Sequence, residues 1–362
     1  MEPKQHSIEA APLPQRYARG WHCLGLASDY KDGKPHSLSI FGTRLVVFQG
    51  ASGKLNILNA WCPHMGADLA LGDVKGDSLV CKFHAWSWGG DGVCNAIPYA
   101  KTIPPRARTK SWPTCEENNL LFVWNDPEGH APSPDVAIPR VAQCFDQQNW
   151  SDWSIVKWKI ENNCRELVDN VADFAHFASV HQMRDMKYFA NIFEGHRATQ
   201  IMVGVSDSVG AGEAITTVAT YYGPAYQLTH MFGKMGGYPV ESILLNTHTP
   251  ISPSAFEIRF GVMVKKFPGM TDQACAAMIQ QYVDLTAKGF GEDVQIWHNK
   301  VRIDNPLLCD GDGPIVLNRK WYEQFYTDVA KLSADVNKRR TSEIDLGLRD
   351  KPPMRHAFDA SG

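Results

Sequence analysis

The chain is predicted to fold as an α+β protein of two domains, a small all-β domain followed by a helix-grip domain built on a large antiparallel sheet. Three observations predict it. Between Trp21 and Trp124 short apolar runs alternate with turn sequences. From Arg197 to Val264 the chain alternates and is rich in β-branched and aromatic residues. Helical periodicity brackets that second region on both sides.

The bulk properties set the frame. A length of 362 residues suits two domains better than one core. Apolar residues make up 44% and charged residues 21%, the balance of a soluble globular protein. A net charge of -3 argues against a nucleic-acid groove or a polybasic membrane patch. Residues 1–16 are polar and hold no apolar signal-peptide core, and no apolar run approaches the about 18 residues of a membrane span. A soluble, cytoplasmic protein is expected. The nine cysteines are odd in number and irregularly spaced, so they are expected as reduced, mostly buried thiols.

In the first domain, strands are expected at residues 21–27, 37–40, 44–48, 55–60 and 120–124. Turn sequences at 31–34 and 51–54 separate four of them in two pairs. Two ligand pairs interrupt this pattern. Cys62-Pro63-His64 is followed after sixteen residues by Cys81-Lys82-Phe83-His84. Two thiolates and two imidazoles are what a Rieske [2Fe–2S] centre needs, with two Cys on one iron and two His on the other. A zinc site would favour Cys pairs and His pairs over two mixed pairs. Six glycines crowd these loops, where they allow close backbone approach, and Trp86 and Trp88 are expected to shield the cluster. Residues 127–149, rich in Pro, Asp and Gln, read as a connection to the second domain.

The second domain opens with a helical stretch from Asn162 through Phe177, carrying Asn170, Asp173 and His176, with His181 at or past its end. His176 and His181 are five apart, which on a regular helix would splay them by about 140°. A helix that distorts or ends between them would let both reach one metal. Two His are two-thirds of the facial triad of mononuclear non-heme Fe(II) oxygenases, so a carboxylate is required from elsewhere. Asp284, Glu292, Asp293 and Asp304 are the candidates. A helical run at 271–301, read as interrupted at Gly289 and Gly291, places Asp293 just past that break and four residues before Trp297, while Asp284 and Glu292 read as solvated. Strands are expected at 200–205, 214–222, 242–248 and 256–264, with Tyr221, Tyr222 and Phe232 facing inward. With Phe177 and Trp297 these would line an apolar cavity in which Asn246 and His248 orient a substrate. The charged stretch after Ser333 reads as a surface helix and a frayed end.

Beyond these patterns, the chain from about residue 17 to 329 resembles the oxygenase components of 3-ketosteroid 9α-hydroxylases, which are Rieske non-heme iron monooxygenases. Residues 18–26 (ARGWHCLGL), 44–48 (RLVVF), 64–69 (HMGADL), 88–92 (WGGDG) and 120–124 (LLFVW) carry the likeness. So do 163–166 (NCRE), 192–196 (IFEGH), 303–308 (IDNPLL) and 321–326 (WYEQFY). The resemblance implies a Rieske domain at 17–130 after a tail at 1–16, a linker at 131–150, a catalytic iron domain at 151–345 and a tail at 346–362. It implies Cys62, His64, Cys81 and His84 as cluster ligands, and His176, His181 and Asp293 as iron ligands. Asp173 matches the carboxylate that joins the two centres across a subunit boundary, and Asn170 a residue beside the iron. Tyr221, Gln227, Asn246, Phe290 and Trp297 match the steroid-lining positions, with Gln227 standing where the steroid enzymes carry Met. The run Gln182 to Met186 is also longer and more charged than the usual loop.

The function so implied is hydroxylation of a 3-ketosteroid at C9α by O2. One Rieske [2Fe–2S] cluster and one mononuclear Fe(II) per subunit would serve it. NADH electrons would come through a separate ferredoxin-type flavin and [2Fe–2S] reductase, because the chain has no G-x-G-x-x-G after a strand. A head-to-tail homotrimer is the simplest assembly. A different sterol reaction, such as desaturation or side-chain oxidation, and a non-catalytic electron carrier are the alternatives.

Overall fold

A computed structural model describes residues 6–10, 12–206 and 212–358 of the chain. The first domain holds eleven short strands among the described residues. They are β1 (Gly20–Leu26), β2 (His36–Ile40), β3 (Thr43–Gln49), β4 (Leu55–Asn59), β5 (Asp73–Lys75), β6 (Ser78–Val80), β7 (Ser87–Gly89), β8 (Cys94–Ala96), β9 (Ser111–Trp112), β10 (Thr114–Glu117) and β11 (Leu120–Asn125). They form three small antiparallel sheets, ordered β1-β11-β10, β2-β3-β4-β9 and β5-β6-β7-β8. The third packs its own core of Leu79, Trp88 and Cys94 against Val46, Phe48 and Leu58.

The second domain is one eight-stranded antiparallel sheet with helices on one face. Its strands are β12 (Ser154–Ile160), β13 (Met183–Glu194), β14 (Arg197–Ser206), β15 (Glu213–Tyr222), β16 (Tyr226–Met235), β17 (Tyr238–Ser252), β18 (Ala255–Val264) and β19 (Arg340–Asp345). The order β12-β18-β17-β16-β15-β14-β13-β19 is a meander with β12 and β19 added at its two edges. Alternation of side chains divides its residues between two faces. Tyr226, Leu228, Ile243 and Leu245 point to the first domain and pack on Trp21, Cys23 and Phe122. Phe189, Met202, Met231 and Val262 point the other way, against helices.

Four helices matter: α1 (Arg165–Val168), α2 (His176–Ser179), α3 (Asp272–Asn299) and α4 (Ile315–Glu323). The helical stretch expected from Asn162 to Phe177 is instead two single turns, α1 and α2, separated by a 3-10 turn at Asp169–Val171. Asp173 interrupts it, because its carboxylate accepts the His176 N–H at 3.2 Å as an N-terminal cap would. The expected break at Gly289 and Gly291 is absent, and α3 runs through both. Two helical glycines cost roughly 1 kcal/mol each, and packing outweighs that. A Cβ on Gly291 would lie 3.7 Å from the Trp158 ring, an ordinary van der Waals contact, so the packing of α3 on β12 does not itself require glycine there. Thr271 caps α3, accepting from Ala274 N at 3.3 Å, and Tyr282 ties it to the sheet through Ser242 at 2.8 Å.

Three further expectations are corrected. Tyr221 faces the helices, but Tyr222 follows it on a strand and faces the first domain with Tyr226. Phe232 neighbours the inward Met231, so it turns outward and is 40% exposed. The stretch after Ser333 contains a strand, not a surface helix. β19 pairs with β13, and beyond it His356 and Ala357 are buried, with His356 Nδ1 bonded to Thr199 Oγ1 at 2.6 Å.

The two domains are pinned together by Asn118, which adopts φ 55° in the turn between β10 and β11. Its side chain donates to Pro139 O at 2.8 Å and Tyr226 OH at 3.3 Å, and accepts from Val141 N at 2.8 Å. Its carbonyl accepts Trp153 Nε1 at 3.1 Å. Asn118→Ala removes three buried bonds at once and forfeits a residue tolerant of that φ. It is expected to cost about 2–4 kcal/mol, read as a lowered urea midpoint.

Candidate metal centres and substrate cleft

The first donor set lies on two loops of matched geometry, one between β4 and β5, the other between β6 and β7. Gly66 N donates to Cys62 O at 2.8 Å, and Ala85 N to Cys81 O at 3.0 Å. A second bond closes each loop, from Cys62 N to Ala67 O at 2.8 Å and from Cys81 N to Trp86 O at 2.9 Å. The turns need the left-handed region, with φ 77° at Gly66 and 56° at Ala85. Cys62 and Cys81 are thereby turned inward, 3% and 2% exposed. His64 and His84 sit at the rim with ring centroids 4.6 Å apart.

The donors are therefore segregated into a buried sulfur pair and an outer imidazole pair. Burial pushes the Cys62 thiol up to about 11, and the adjacent Cys81 sulfur adds to the rise. A cationic centre beside it would be needed to hold Cys62 as a thiolate. This arrangement fits a [2Fe–2S] cluster with the two cysteines on the inner iron and the two histidines on the outer one, whereas a single zinc ion would not require the segregation. Trp86 stacks on His64 at 4.5 Å, and the fully buried Trp88 lies behind it.

The second set converges from two segments. α2 ends at Ser179, so His181 leaves the helical path and swings back. Its ring centroid lies 5.2 Å from that of His176, which resolves the five-residue spacing. Of the four carboxylate candidates, α3 delivers Asp293, whose Oδ2 lies 3.2 Å from His181 Nε2. One ligand atom from each of His176, His181 and Asp293 falls within 4.8 Å of the others. His176 Nδ1 donates to the Asp173 carbonyl at 2.7 Å, which fixes the tautomer and leaves Nε2 free to ligate. Burial disfavours a charged His181, but Asp293 and Glu292 outweigh it and hold its pKa above the ordinary value. The point they surround favours positive charge, as a facial triad for Fe(II) would.

Asp173 sits at the edge of this set. Its carboxylate lies 3.7 Å from His176 Nδ1 and is 36% exposed, so it reaches outward from the iron side. Asn170 is half-buried on the 3-10 turn between α1 and α2. Of the five expected substrate residues, Gln227, Asn246, Phe290 and Trp297 are linked through the sheet to α3, while Tyr221 packs under α4 with Trp321 and Tyr322. Tyr221 pairs in register with Gln227 and Gln227 with Asn246, and the two amides bond at 3.2 Å. Asn246 pairs with Phe260, on which Phe290 stacks at 4.2 Å, and Trp297 lies 5.5 Å from Phe290.

Two features escaped the sequence reading. Glu292, expected in solvent, lies 3.6 Å from His181 Nδ1 and orients that ring from behind. Glu166, on α1 and fully buried, pairs with Lys300 at 3.0 Å and Arg302 at 3.5 Å, while Asp169 pairs with Arg319 at 2.7 Å. The Glu166 pairs clamp the His-bearing segment to the chain leaving α3, the helix that bears Asp293, and the Asp169 pair ties it to α4. Two acids three apart in an otherwise apolar stretch were the available signal.

Comparison with known proteins assigns both domains. Residues 20–113 match the Rieske [2Fe-2S] domain family, and residues 123–326 match the 3-ketosteroid 9alpha-hydroxylase C-terminal domain family. A 3-ketosteroid-9-alpha-monooxygenase oxygenase component of Rhodococcus rhodochrous is 47% identical, across 93% of this chain and 88% of its own length. Cholesterol 7-desaturase of Ciona intestinalis is 30% identical, across 87% of this chain and 70% of its own. The crystal structure of dicamba monooxygenase bound to dicamba shares the fold, with TM-score 0.64 at 20% identity, across 86% of this chain and 98% of that one. Among the described residues no helix is long and apolar enough to cross a membrane. With a Rieske domain before a helix-grip iron domain and this degree of identity throughout, the chain belongs to the 3-ketosteroid 9α-hydroxylase family of Rieske oxygenases.

Proposed function

We propose that the chain is the terminal oxygenase of a two-component monooxygenase that hydroxylates a 3-ketosteroid at C9α. The observation that carries this reading is the pairing of two separate donor sets in one chain, the second of them, His176, His181 and Asp293, delivered beside the aromatic residues of α3. Cys62, His64, Cys81 and His84 would hold the cluster, and His176, His181 and Asp293 the mononuclear iron. When bound, these centres supply electrons singly and a site where O2 is activated for C–H hydroxylation. Electrons originate from NADH through a separate ferredoxin-type flavin and [2Fe–2S] reductase. An electron carrier alone would have no use for the second donor set.

The chain's own residues do the positioning. Asp173 orients His176 through its carbonyl and turns its carboxylate outward, toward His84 of a neighbouring subunit. Apolar surface supports a head-to-tail ring, most simply a trimer. Met65 and Phe83, beside the cluster ligands, are 65% and 58% exposed. Val301 and Leu307 are 63% and 80% exposed, on a loop whose Asp312 carbonyl accepts Phe174 N next to Asp173. Two different patches that cover one another make a heterologous contact, which generates a ring when the rotation between subunits closes. In the cleft, the aromatic wall fixes the target carbon, where a small misplacement is costly.

Likeness to a 7-desaturase keeps desaturation as the second reading. Supplied with NADH, a compatible reductase and androst-4-ene-3,17-dione, the enzyme is expected to give a product heavier by one oxygen, with the hydroxyl at C9 by NMR. A product lighter by two hydrogens would assign the second reading.

A further inference from the structure

The sheet face that looks toward α2 and α3 is not uniformly apolar. A row of polar side chains crosses four adjacent strands on that face: Gln200 on β14, Thr217 and Tyr221 on β15, Gln227 on β16, Asn246 and His248 on β17. The register joins them. Gln200 is opposite Ala219, which separates Thr217 from Tyr221 on the same face. Tyr221 is opposite Gln227, and Gln227 opposite Asn246, with His248 two residues on. At the usual strand spacing of about 4.8 Å, the row spans about 14 Å, comparable to a fused four-ring nucleus.

Most of the row lacks internal partners. Gln200 Nε2, Thr217 Oγ1, Tyr221 OH, Asn246 Oδ1 and both ring nitrogens of His248 are buried without a hydrogen bond among the described residues. Buried polar atoms are almost always satisfied, so six gathered in one row mark where the polar groups of a ligand, or water, would be received. The row is not wholly sealed at its centre. Leu244 and Asn246 lie mid-sheet beneath α3, yet both stay partly accessible. The opposite wall is apolar and carries the iron donors: Phe174 and Phe177 flank His176, and Phe290 precedes Asp293 by three residues.

The cleft is thus two-sided, with a polar floor on the sheet and an aromatic roof that holds the reacting centre. A bare hydrocarbon nucleus would bury the floor and leave its donors and acceptors unmatched, which binding sites penalise heavily. We infer that the cleft selects 3-ketosteroids bearing at least one further ring hydroxyl, on the side of the nucleus turned away from the attacked C–H bond. The Gln227–Asn246 amide pair is the centre of that recognition, because an amide can both donate to and accept from a hydroxyl. This rests on the reading of the chain as a 3-ketosteroid oxygenase.

The test compares androst-4-ene-3,17-dione with its ring-hydroxylated derivatives, α and β epimers separately, on the metal-loaded enzyme. Two readouts are taken: Kd from quenching of tryptophan fluorescence, and kcat/KM with reductase and NADH. At least one hydroxylated derivative is expected to bind about tenfold or more tightly than the parent and to carry the same advantage in kcat/KM. Gln227→Met is expected to erase that advantage and to bind the parent better than wild type does. If the parent binds as tightly as every derivative, the inference fails while the steroid reading stands. If no 3-ketosteroid binds, both fail. The wild-type comparison decides the matter even if the variant does not fold.

Discussion

Asp173→Ala is expected to keep the cluster's visible absorption and the full iron content, and to lower coupled hydroxylation on the order of 100-fold. The geometry separates the two effects. His176 Nδ1 is held by the Asp173 main-chain carbonyl at 2.7 Å, a bond that alanine retains. The iron ligand therefore keeps its tautomer and direction. What alanine removes is the carboxylate, which caps α2 at 3.2 Å and turns its free face outward. Losing the cap costs about 1 kcal/mol, too little to unfold the domain. Losing the outward carboxylate would break the bridge proposed to the neighbour's His84. Metal analysis, absorption and product yield from one preparation would read all three quantities. Wild-type turnover in that preparation would remove the bridge from the mechanism. Asp173→Asn refines the result, since it keeps the cap and loses only the charge.

Local spacing and long-range placement were unequally legible in the sequence. Cys62, His64, Cys81 and His84 could be read directly because each pair is a single tight loop, and the loops close on their own backbone bonds. The five-residue gap from His176 to His181 correctly demanded a helix end. Spacing favoured Asp293 through a break at Gly289 and Gly291 that α3 does not have, and what brings it to His176 and His181 is the face of α3 that meets the sheet. Glu292 was lost because it shares a helix turn with Asp293, and only the position of His181 draws it inward. Tyr222 and Phe232 were misassigned by counting aromatic residues without the strand alternation that sends neighbours to opposite faces. The strand β19 is short, charged and mostly exposed, so nothing local distinguishes it. Pairing with β13, far back in the chain, makes it a strand. The polar row across β14 to β17 was equally hidden. Its members are scattered over residues 200–248 and become one surface only when the registers of four strands are fixed.

His176→Ala is expected to abolish hydroxylation by releasing the mononuclear iron, lowering iron from about three to about two per chain with the cluster absorption unchanged. The triad draws two of its three donors from one short segment built on a single helical turn. Such a segment has little intrinsic stability, so it holds its shape through the Glu166 and Asp169 ion pairs and the packing of Phe174 and Phe177 on Phe189. Alanine disturbs none of these contacts, so the fold should survive. It leaves His181 and Asp293 as a two-donor site, with an Asp293 carboxylate that is 6% exposed and a His181 that it already favours in the charged form. Those two side chains can satisfy each other as an ion pair, which competes with iron and deepens the loss. The cluster is insulated from this change, because its ligands stand on loops between β4 and β7 over a separate core. Unchanged iron in a folded His176→Ala protein would sink the triad. Loss of the cluster absorption as well would mean that the two domains do not hold their metals independently.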